Sequence, residues 1–339
     1  MRAHLRICPS ITKLAVWMCL SMPLSVIAQG DPTIAPSFPT PSEIIKERLH
    51  EGFDQQEIYK QSCNSVVRIE MSDPLGSTLI TGFFIDENGL IATVISTNRS
   101  PDKITVTWQE RAYPAKLLAI DERTRLALLK IDTEMTSGLP LGRGLDGALG
   151  SQVYAVSDTS DTLSRIVPGR LAGREATLQK NVLPTTILRL HMKAAPDAFG
   201  GPVIDVDGNV VGVLLLNLDQ ENEVCFALPS EILQKVLTDY EKFQHVEPAW
   251  CGFTLELGTT TPKVIFVQSG SPAAAAGFRP GDVILRIGDR LVRDYQDVVD
   301  RCYYLTAGQD VEIAVLRNQT DRTLTLKPKA VSELKLNNK

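Results

Sequence analysis

From Ser65 to Leu228 the chain is a succession of short apolar runs separated by turn residues. A first group comprises Val66-Val67-Arg68-Ile69, Thr81-Gly82-Phe83-Phe84-Ile85, Leu90-Ile91-Ala92-Thr93, Ile104-Thr105-Val106-Thr107 and Leu126-Ala127-Leu128-Leu129-Lys130-Ile131. A second comprises Gln152-Val153-Tyr154-Ala155-Val156, Thr186-Ile187-Leu188-Arg189-Leu190, Pro202-Val203-Ile204-Asp205, Val210-Val211-Gly212-Val213-Leu214-Leu215 and Cys225-Phe226-Ala227-Leu228. Runs this short and this closely spaced fit strands better than helices, so a mainly β fold is predicted. Asp86-Glu87-Asn88-Gly89 reads as a hairpin turn, because Asn and Gly tolerate positive φ. Two successive β units of similar size predict a double β-barrel, with barrels at about 60–140 and 150–228.

The glycine-containing stretch from Leu139 to Gly150 separates the two units. Within it Gly142-Arg143-Gly144-Leu145-Asp146-Gly147 lacks the Lys-Ser/Thr ending of a phosphate loop and reads as a connection between barrels. After Pro229, the residues Ile232, Leu233, Val236, Leu237 and Tyr240 fall at helical spacing, with Ser230 as a cap. Glu247-Pro248 closes that helix, and a third block with its own strands, glycines and helix follows. The expected divisions are 1–28 signal, 29–59 tether and helix, 60–240 double barrel and helix, 248–329 third domain, and 330–339 tail.

The N-terminus has the parts of a secretory signal: Arg2, Arg6 and Lys13 with no acid in residues 1–28, an apolar run from Leu14 to Ile27, and small Ala28 before Gln29. Cleavage after Ala28 is predicted, with an uncleaved anchor as the alternative. The proline-dense stretch from Asp31 to Ser42 buries little and reads as an exposed tether; Ile44, Ile45 and Leu49 could share one face of a following helix. Export leads to a periplasmic or extracellular space, where thiols can pair. Removal of Cys8 and Cys19 leaves Cys63, Cys225, Cys251 and Cys302, which allow three pairings. The formal charge of −5 gives no basic surface for nucleic acid. The histidines and cysteines lack zinc spacing, so no metal or other cofactor is expected.

Ala195-Pro196-Asp197-Ala198-Phe199-Gly200-Gly201-Pro202 resembles N-P-G-N-S-G-G-P, the nucleophile loop of the HtrA (Deg) family of trypsin-like serine proteases, which places Phe199 at the nucleophile and Asp197 at an oxyanion glycine. Gly89 to Val106 resembles the segment around the family's catalytic histidine, with Ser96 in the histidine's place. Tyr113 to Lys130 resembles the aspartate segment, with Arg125 in the aspartate's place. A phenyl ring cannot attack a carbonyl, a serine is no base near neutrality, and a guanidinium cannot orient an imidazolium. A carboxylate at Asp197 opposes a developing oxyanion. His50, His191 and His245 remain, and only His191 lies near the loop in sequence. The expectation is therefore a protein without catalytic residues, not an enzyme, with an active peptidase built from rearranged groups as the alternative.

Gly270 to Ile287 resembles the G-S-P-A-x-x-A-G-L-x-x-G-D-x-I-x-x-I/V segment of PDZ domains. That resemblance implies a peptide-binding groove beside a carboxylate loop, here Trp250-Cys251-Gly252-Phe253, and a helix from Tyr295 to Leu305. Val298, Cys302 and Leu305 are expected to face the core, and Asp297, Arg301 and Tyr304 the groove. Cys251 and Cys302 are a candidate disulfide within this domain. The implied partners are peptides or protein C-termini, or an active HtrA-like protease. The implied roles are holding clients or regulating that protease, with a homo-oligomer, a trimer in the family, as the assembly.

Overall fold

The computed structural model describes residues 56–74, 76–95, 101–133, 137–158, 165–178, 181–219, 223–257 and 259–336. The predicted signal, the tether, the helix expected at Ile44 to Leu49, and Ser96 lie outside these residues. A short helix over 56–62 (α1) opens the described chain.

Seven strands then form an antiparallel sheet in the order β5-β4-β1-β2-β3-β7-β6. They are β1 (Val66–Asp73), β2 (Gly76–Phe84), β3 (Leu90–Val94), β4 (Lys103–Trp108), β5 (Arg111–Pro114), β6 (Lys116–Ile120) and β7 (Leu126–Lys130). The turn between β2 and β3 falls where the sequence puts it. The Asp86 carboxylate accepts the N–H groups of Asn88 at 2.9 Å and Leu90 at 2.8 Å, and Gly89 takes φ +83°.

The second unit is a closed barrel, β10-β13-β12-β11-β8-β9. Its strands are β8 (Gln152–Ser157), β9 (Arg165–Leu178), β10 (Asn181–His191), β11 (Pro202–Ile204), β12 (Val210–Asp219) and β13 (Val224–Pro229). β9 is not evident in the sequence. It mixes Arg, Gly, Pro and Glu into its fourteen residues, and the pairing partners on both sides, not its own apolar pattern, hold it extended.

The near-continuous apolar runs are explained by burial on both faces. On β7, Ala127 and Leu129 enter the core of the first sheet, while Leu126 and Leu128 enter a central cluster. On β3, Ile91 and Ala92 divide in the same way. Because side chains alternate along a strand, a strand with two buried faces must be apolar throughout.

That central cluster also takes Ile232, Leu233 and Val236 of the helix α2 (Ser230–Phe243). Ser230 does not cap it. Pro229 is the N-cap, and the Ser230 hydroxyl donates to Gly142 O at 2.9 Å and accepts from Gly144 N–H at 3.1 Å. The glycine-containing connection is thus tied to the helix start. The helix ends at Gln244, in a left-handed conformation, before the expected Glu247-Pro248.

The third block contains β14 (Ala249–Trp250), β15 (Phe253–Leu255), β16 (Val264–Val267), α3 (Pro272–Ala275), β17 (Val283–Ile287), β18 (Arg290–Leu291), α4 (Tyr295–Tyr303), β19 (Val311–Arg317), β20 (Thr320–Leu326), β21 (Lys329–Ala330) and α5 (Val331–Leu336). Ser271 caps α3, accepting the N–H of Ala274. Buried Asp282 is held by Arg317 through bonds of 2.6 and 2.7 Å and accepts the Arg279 N–H at 2.9 Å. Burial pushes the Asp282 carboxyl up, but Arg317 outweighs it and holds the group below its ordinary value. The Gly-Asp pair of the recognised segment is therefore a fold-building device.

Candidate functional site

The loop from Ala195 to Pro202 lies between the two β units and is hydrogen-bonded to both. Pro196–Ala198 forms a 3-10 turn, in which Ala198 N–H reaches Ala195 O at 3.0 Å and Phe199 N–H points to Pro196 O at 3.5 Å. From the first sheet, Thr81 donates its N–H to Phe199 O at 2.8 Å and its hydroxyl to Asp197 O at 2.7 Å. From the barrel, Leu214 O accepts Gly200 N–H at 2.8 Å. Gly200 has φ +80°, and a Cβ there would stand 2.2 Å from Thr93 Oγ1 and 2.4 Å from Thr81 O. Only glycine satisfies both the backbone conformation and the space. The Phe199 ring packs against the barrel core, and the Oδ1 of Asp197 is buried without a hydrogen-bond partner among the described residues.

Arg125 sits at the turn into β7 with φ +65°. Its Nε donates to Ile95 O at 3.1 Å, its N–H to Asp121 O at 2.6 Å, and its guanidinium pairs with Glu122. His191, exposed at the end of β10, lines a surface hollow with Gln152, Lys193 and Glu223. His245 pairs with Glu247 at 2.7 Å, after α2. Neither histidine is placed with Phe199, and His50 lies outside the described residues.

A groove of about 470 Å³ runs between β15 and α4. Phe253, Thr254, Leu255 and Leu257 form one wall, and Tyr295, Val298, Val299, Cys302 and Tyr303 the other. Ala249 and, from the β units, Arg123 and Pro184 complete the lining. Trp250 belongs to β14, paired with Lys329, and Cys251 is buried in the domain core. The assignment of Arg301 and Tyr304 to this groove is corrected. Both line a different cleft, of about 410 Å³, between α4 and α2, with Glu231, Lys235 and Arg290. The reason is the setting of α4, none of whose residues is exposed. Two clefts open against this helix, so its partly buried residues divide between them and not between a core side and a single groove side.

What covers the rest of α4 is the trypsin-like part of the chain. Asp300 Oδ1 accepts the Thr186 N–H at 2.7 Å and the Thr185 hydroxyl at 2.9 Å, and the Thr185 hydroxyl lies 3.2 Å from the Tyr304 hydroxyl. Tyr303 enters the central cluster and donates to Asp121 Oδ2 at 2.5 Å. Arg123 lies 4.1 Å from the Tyr303 ring centroid and bonds Asp121 at 3.0 Å. Burial pushes the Asp121 carboxyl up, while Arg123 and the Tyr303 hydroxyl pull it further down, below its ordinary value. Burial and the Asp121 charge both raise the Tyr303 phenol. Of these joint residues only Tyr304 was singled out from sequence, and for the groove; the signal for the others was the charged Asp121-Glu122-Arg123 run before an apolar strand.

Comparison with known proteins matches residues 80–213 to a trypsin-like peptidase domain and 249–327 to a PDZ domain. The chain is 26% identical to a probable periplasmic serine endoprotease DegP-like protein of Rickettsia prowazekii, over 87% of this chain and 61% of that protein. It is 25% identical to a protein of the same description from Halomonas elongata, over 92% of this chain and 75% of that protein. The solved HtrA-type protease AlgW with tripeptide shares the fold, with a TM-score of 0.66 and 22% identity over 81% of this chain and 97% of that one. The expectation that the chain is not an enzyme is corrected by these relatives, which are named serine endoproteases and point to a protease. The physical reason is that Ser96, Arg125 and Phe199 bear on a single route, attack through those three side chains. The chain thus carries a match to a trypsin-like peptidase domain followed by a match to a PDZ domain, and it is similar over both to DegP-like relatives and in fold to an HtrA-type protease.

Proposed function

We propose that this chain is an exported HtrA-like protein that captures an extended peptide or a protein C-terminus in the groove between β15 and α4. The observation that carries this reading is the groove itself, apolar along both walls and bordered by a β15 edge that an extended chain can join. Gly252, with φ +85°, forms the turn before β15, and neither Cys251 nor Gly252 donates its N–H to another backbone group among the described residues. Two such N–H groups suit a terminal carboxylate. Arg123, at the groove from the trypsin-like side, puts a cation beside the bound chain. The periplasmic designation of the relatives supports export, and no helix among the described residues is long and apolar enough to cross a membrane. The test is binding of apolar decapeptides as free acid and as amide. At least tenfold tighter binding of the acid, a difference of about 1.4 kcal/mol, is expected; equal binding overturns carboxylate capture.

A second reading follows from the names of the relatives, namely endoproteolysis of the captured polypeptide. Turnover here must use groups other than Arg125 and Phe199, since neither side chain supplies a nucleophile or a neutral base. The loop's nearest hydroxyls, on Thr81 and Thr93, donate to Asp197 O and Thr81 O, both at 2.7 Å. The purified protein is incubated with fluorescent casein and, separately, with a fluorophosphonate that labels serine-type nucleophiles. Casein turnover with one labelled residue supports this reading and identifies the nucleophile; no turnover and no label removes it.

A further inference from the structure

We infer that Cys251 and Cys302 form a reversible dithiol–disulfide pair that sets the width of the peptide groove at its carboxylate-loop end. Cys302 lines the α4 wall of the groove, and Cys251 lies in the domain core at the foot of the β15 wall. Cys251 is the residue before Gly252 in the loop between β14 and β15, and Cys302 stands in the last turn of α4. Both pack in the same domain core, and the Cys251 thiol lies within hydrogen-bonding reach of Cys302. In the described structure both are free thiols, as are Cys63 and Cys225. Cys225 is fully buried in the second barrel, and Cys63 precedes β1, so neither shares this cluster.

Their surroundings set how the pair can be reached and how fast it reacts. Cys251 is 8% exposed, whereas Cys302 is half-buried and lines the open groove, which gives an oxidant one point of entry. The hydrogen bond that the Cys302 thiol donates to Cys251 and its burial both raise the Cys302 thiol. Its thiolate is therefore scarce at neutral pH, and oxidation is slow without a catalyst. An occupied groove covers Cys302 and slows it further.

The oxidant is a disulfide, such as oxidised glutathione or an oxidised thiol–disulfide oxidoreductase. Cys302 loses its proton and attacks one sulfur of that disulfide, releasing the first thiolate and leaving a mixed disulfide. Cys251 then loses its proton and attacks Cys302 Sγ, releasing the second thiolate. The two protons given up by the protein are taken by the two released thiolates, and the two electrons leave with them. The new S–S bond, about 2.05 Å long, draws sulfurs at non-bonded distance together. Cys251 is anchored through its carbonyl, which accepts the Ala273 N–H at 2.9 Å, so the end of α4 and the carboxylate loop must approach each other. The groove narrows where a terminal carboxylate would enter.

The effect on peptides rests on the proposed capture function, while formation of the bond does not. The mature full chain is equilibrated in reduced and in oxidised glutathione, alkylated under denaturing conditions and mapped by peptide mass spectrometry. In parallel, binding of a fluorescein-labelled decapeptide ending in three valines with a free carboxylate is followed by anisotropy. The expected result is a Cys251–Cys302 linkage in the oxidised sample only, with binding about tenfold weaker than in the reduced protein. In Cys302→Ser and, separately, in Cys251→Ala, the ratio of affinities between the oxidised and reduced samples should fall to one, whatever the affinity of the variant itself. Four alkylated thiols after oxidation, or linkage of either cysteine to Cys63 or Cys225, overturns the pairing. A mapped linkage with equal affinity in both states overturns its control of the groove. Absence of binding in both states refutes peptide capture and that control together, while the mapping still decides the pairing.

Discussion

Two loops of this chain turn on a glycine with positive φ, and they are used differently. Around Gly200, carbonyls and N–H groups alike are taken up within the protein. Thr81 holds Asp197 O and Phe199 O, and Leu214 O holds the Gly200 N–H. Around Gly252, Gln268 N–H donates to the Gly252 carbonyl at 2.9 Å and the Cys251 carbonyl is bonded, but the following residues open onto a groove. Glycine is demanded for the same reason in both places, since a Cβ would stand 2.2 Å from Thr93 Oγ1 in one and 2.2 Å from Ser271 Cβ in the other. The difference teaches that a retained glycine reports backbone geometry and close packing. Whether the loop then offers anything to a ligand depends on where its remaining polar groups point.

Substitution at the two glycines breaks the comparison most directly. Gly200→Ala is expected to destabilise the trypsin-like part by about 3 kcal/mol, combining left-handed strain of about 1–2 kcal/mol with overpacking of about 1–3 kcal/mol. The obstruction there includes main chain of both β2 and β3, which cannot step aside. Thermal unfolding should show a loss of about 6–12 °C. Gly252→Ala is expected to cost about 2 kcal/mol, because the obstruction comes from side chains alone, Ser271 at the start of the four-residue α3 and, less closely, Trp250. Its distinguishing result is loss of decapeptide binding with the trypsin-like unfolding transition retained.

The joint between the two parts sharpens the comparison at the next level. Tyr303→Phe removes the hydroxyl bonded to Asp121 and is expected to cost about 1.5–2 kcal/mol, as for a hydrogen bond to a charged group. The pH dependence has a definite sign. The folded-state pKa of Asp121 lies below its unfolded value of 3.8, so its contribution is complete above that value and lost as pH falls through the folded one. Denaturant titrations between pH 6 and about 2 should therefore show a shallower acid loss in Tyr303→Phe than in the parent. The smallest effect is expected for Thr81→Val, which removes the bond to Asp197 O and costs about 1 kcal/mol. A loss exceeding that of Gly200→Ala would mean that the loop is held by Thr81 more than by Gly200.

Strands with strongly apolar, turn-bounded runs were legible, as were the Asp86–Gly89 turn and the Gly270–Ile287 segment, because each is specified by neighbours close in sequence. β9 was not, since its pairing with β8 and β10 makes up for a weak pattern of its own. Ser230 has the residue type of a helix cap, yet it bonds the backbone of Gly142 and Gly144, some 86 to 88 residues away. At the site, aligned positions identified Asp197, Arg125 and Phe199. They did not reveal that the loop is held from both β units, nor that Arg125 is bound to Ile95 O and Glu122.

The sequence by itself determined a mainly β chain, a trypsin-like unit followed by a PDZ domain, and glycines at the turns that need them. Period and turn chemistry are local properties, and they survive whatever the element packs against. Only the tertiary structure decided the role of α4. Its spacing allowed one buried stripe, but the helix stands among the β15 groove, the domain core, the trypsin-like part and a second cleft against α2. That placement moved Arg301 and Tyr304 out of the groove, set Tyr303 against Asp121, and brought Cys302 to Cys251. Periodicity records how much of a helix is covered; what covers each face is settled by contacts between residues far apart in the chain.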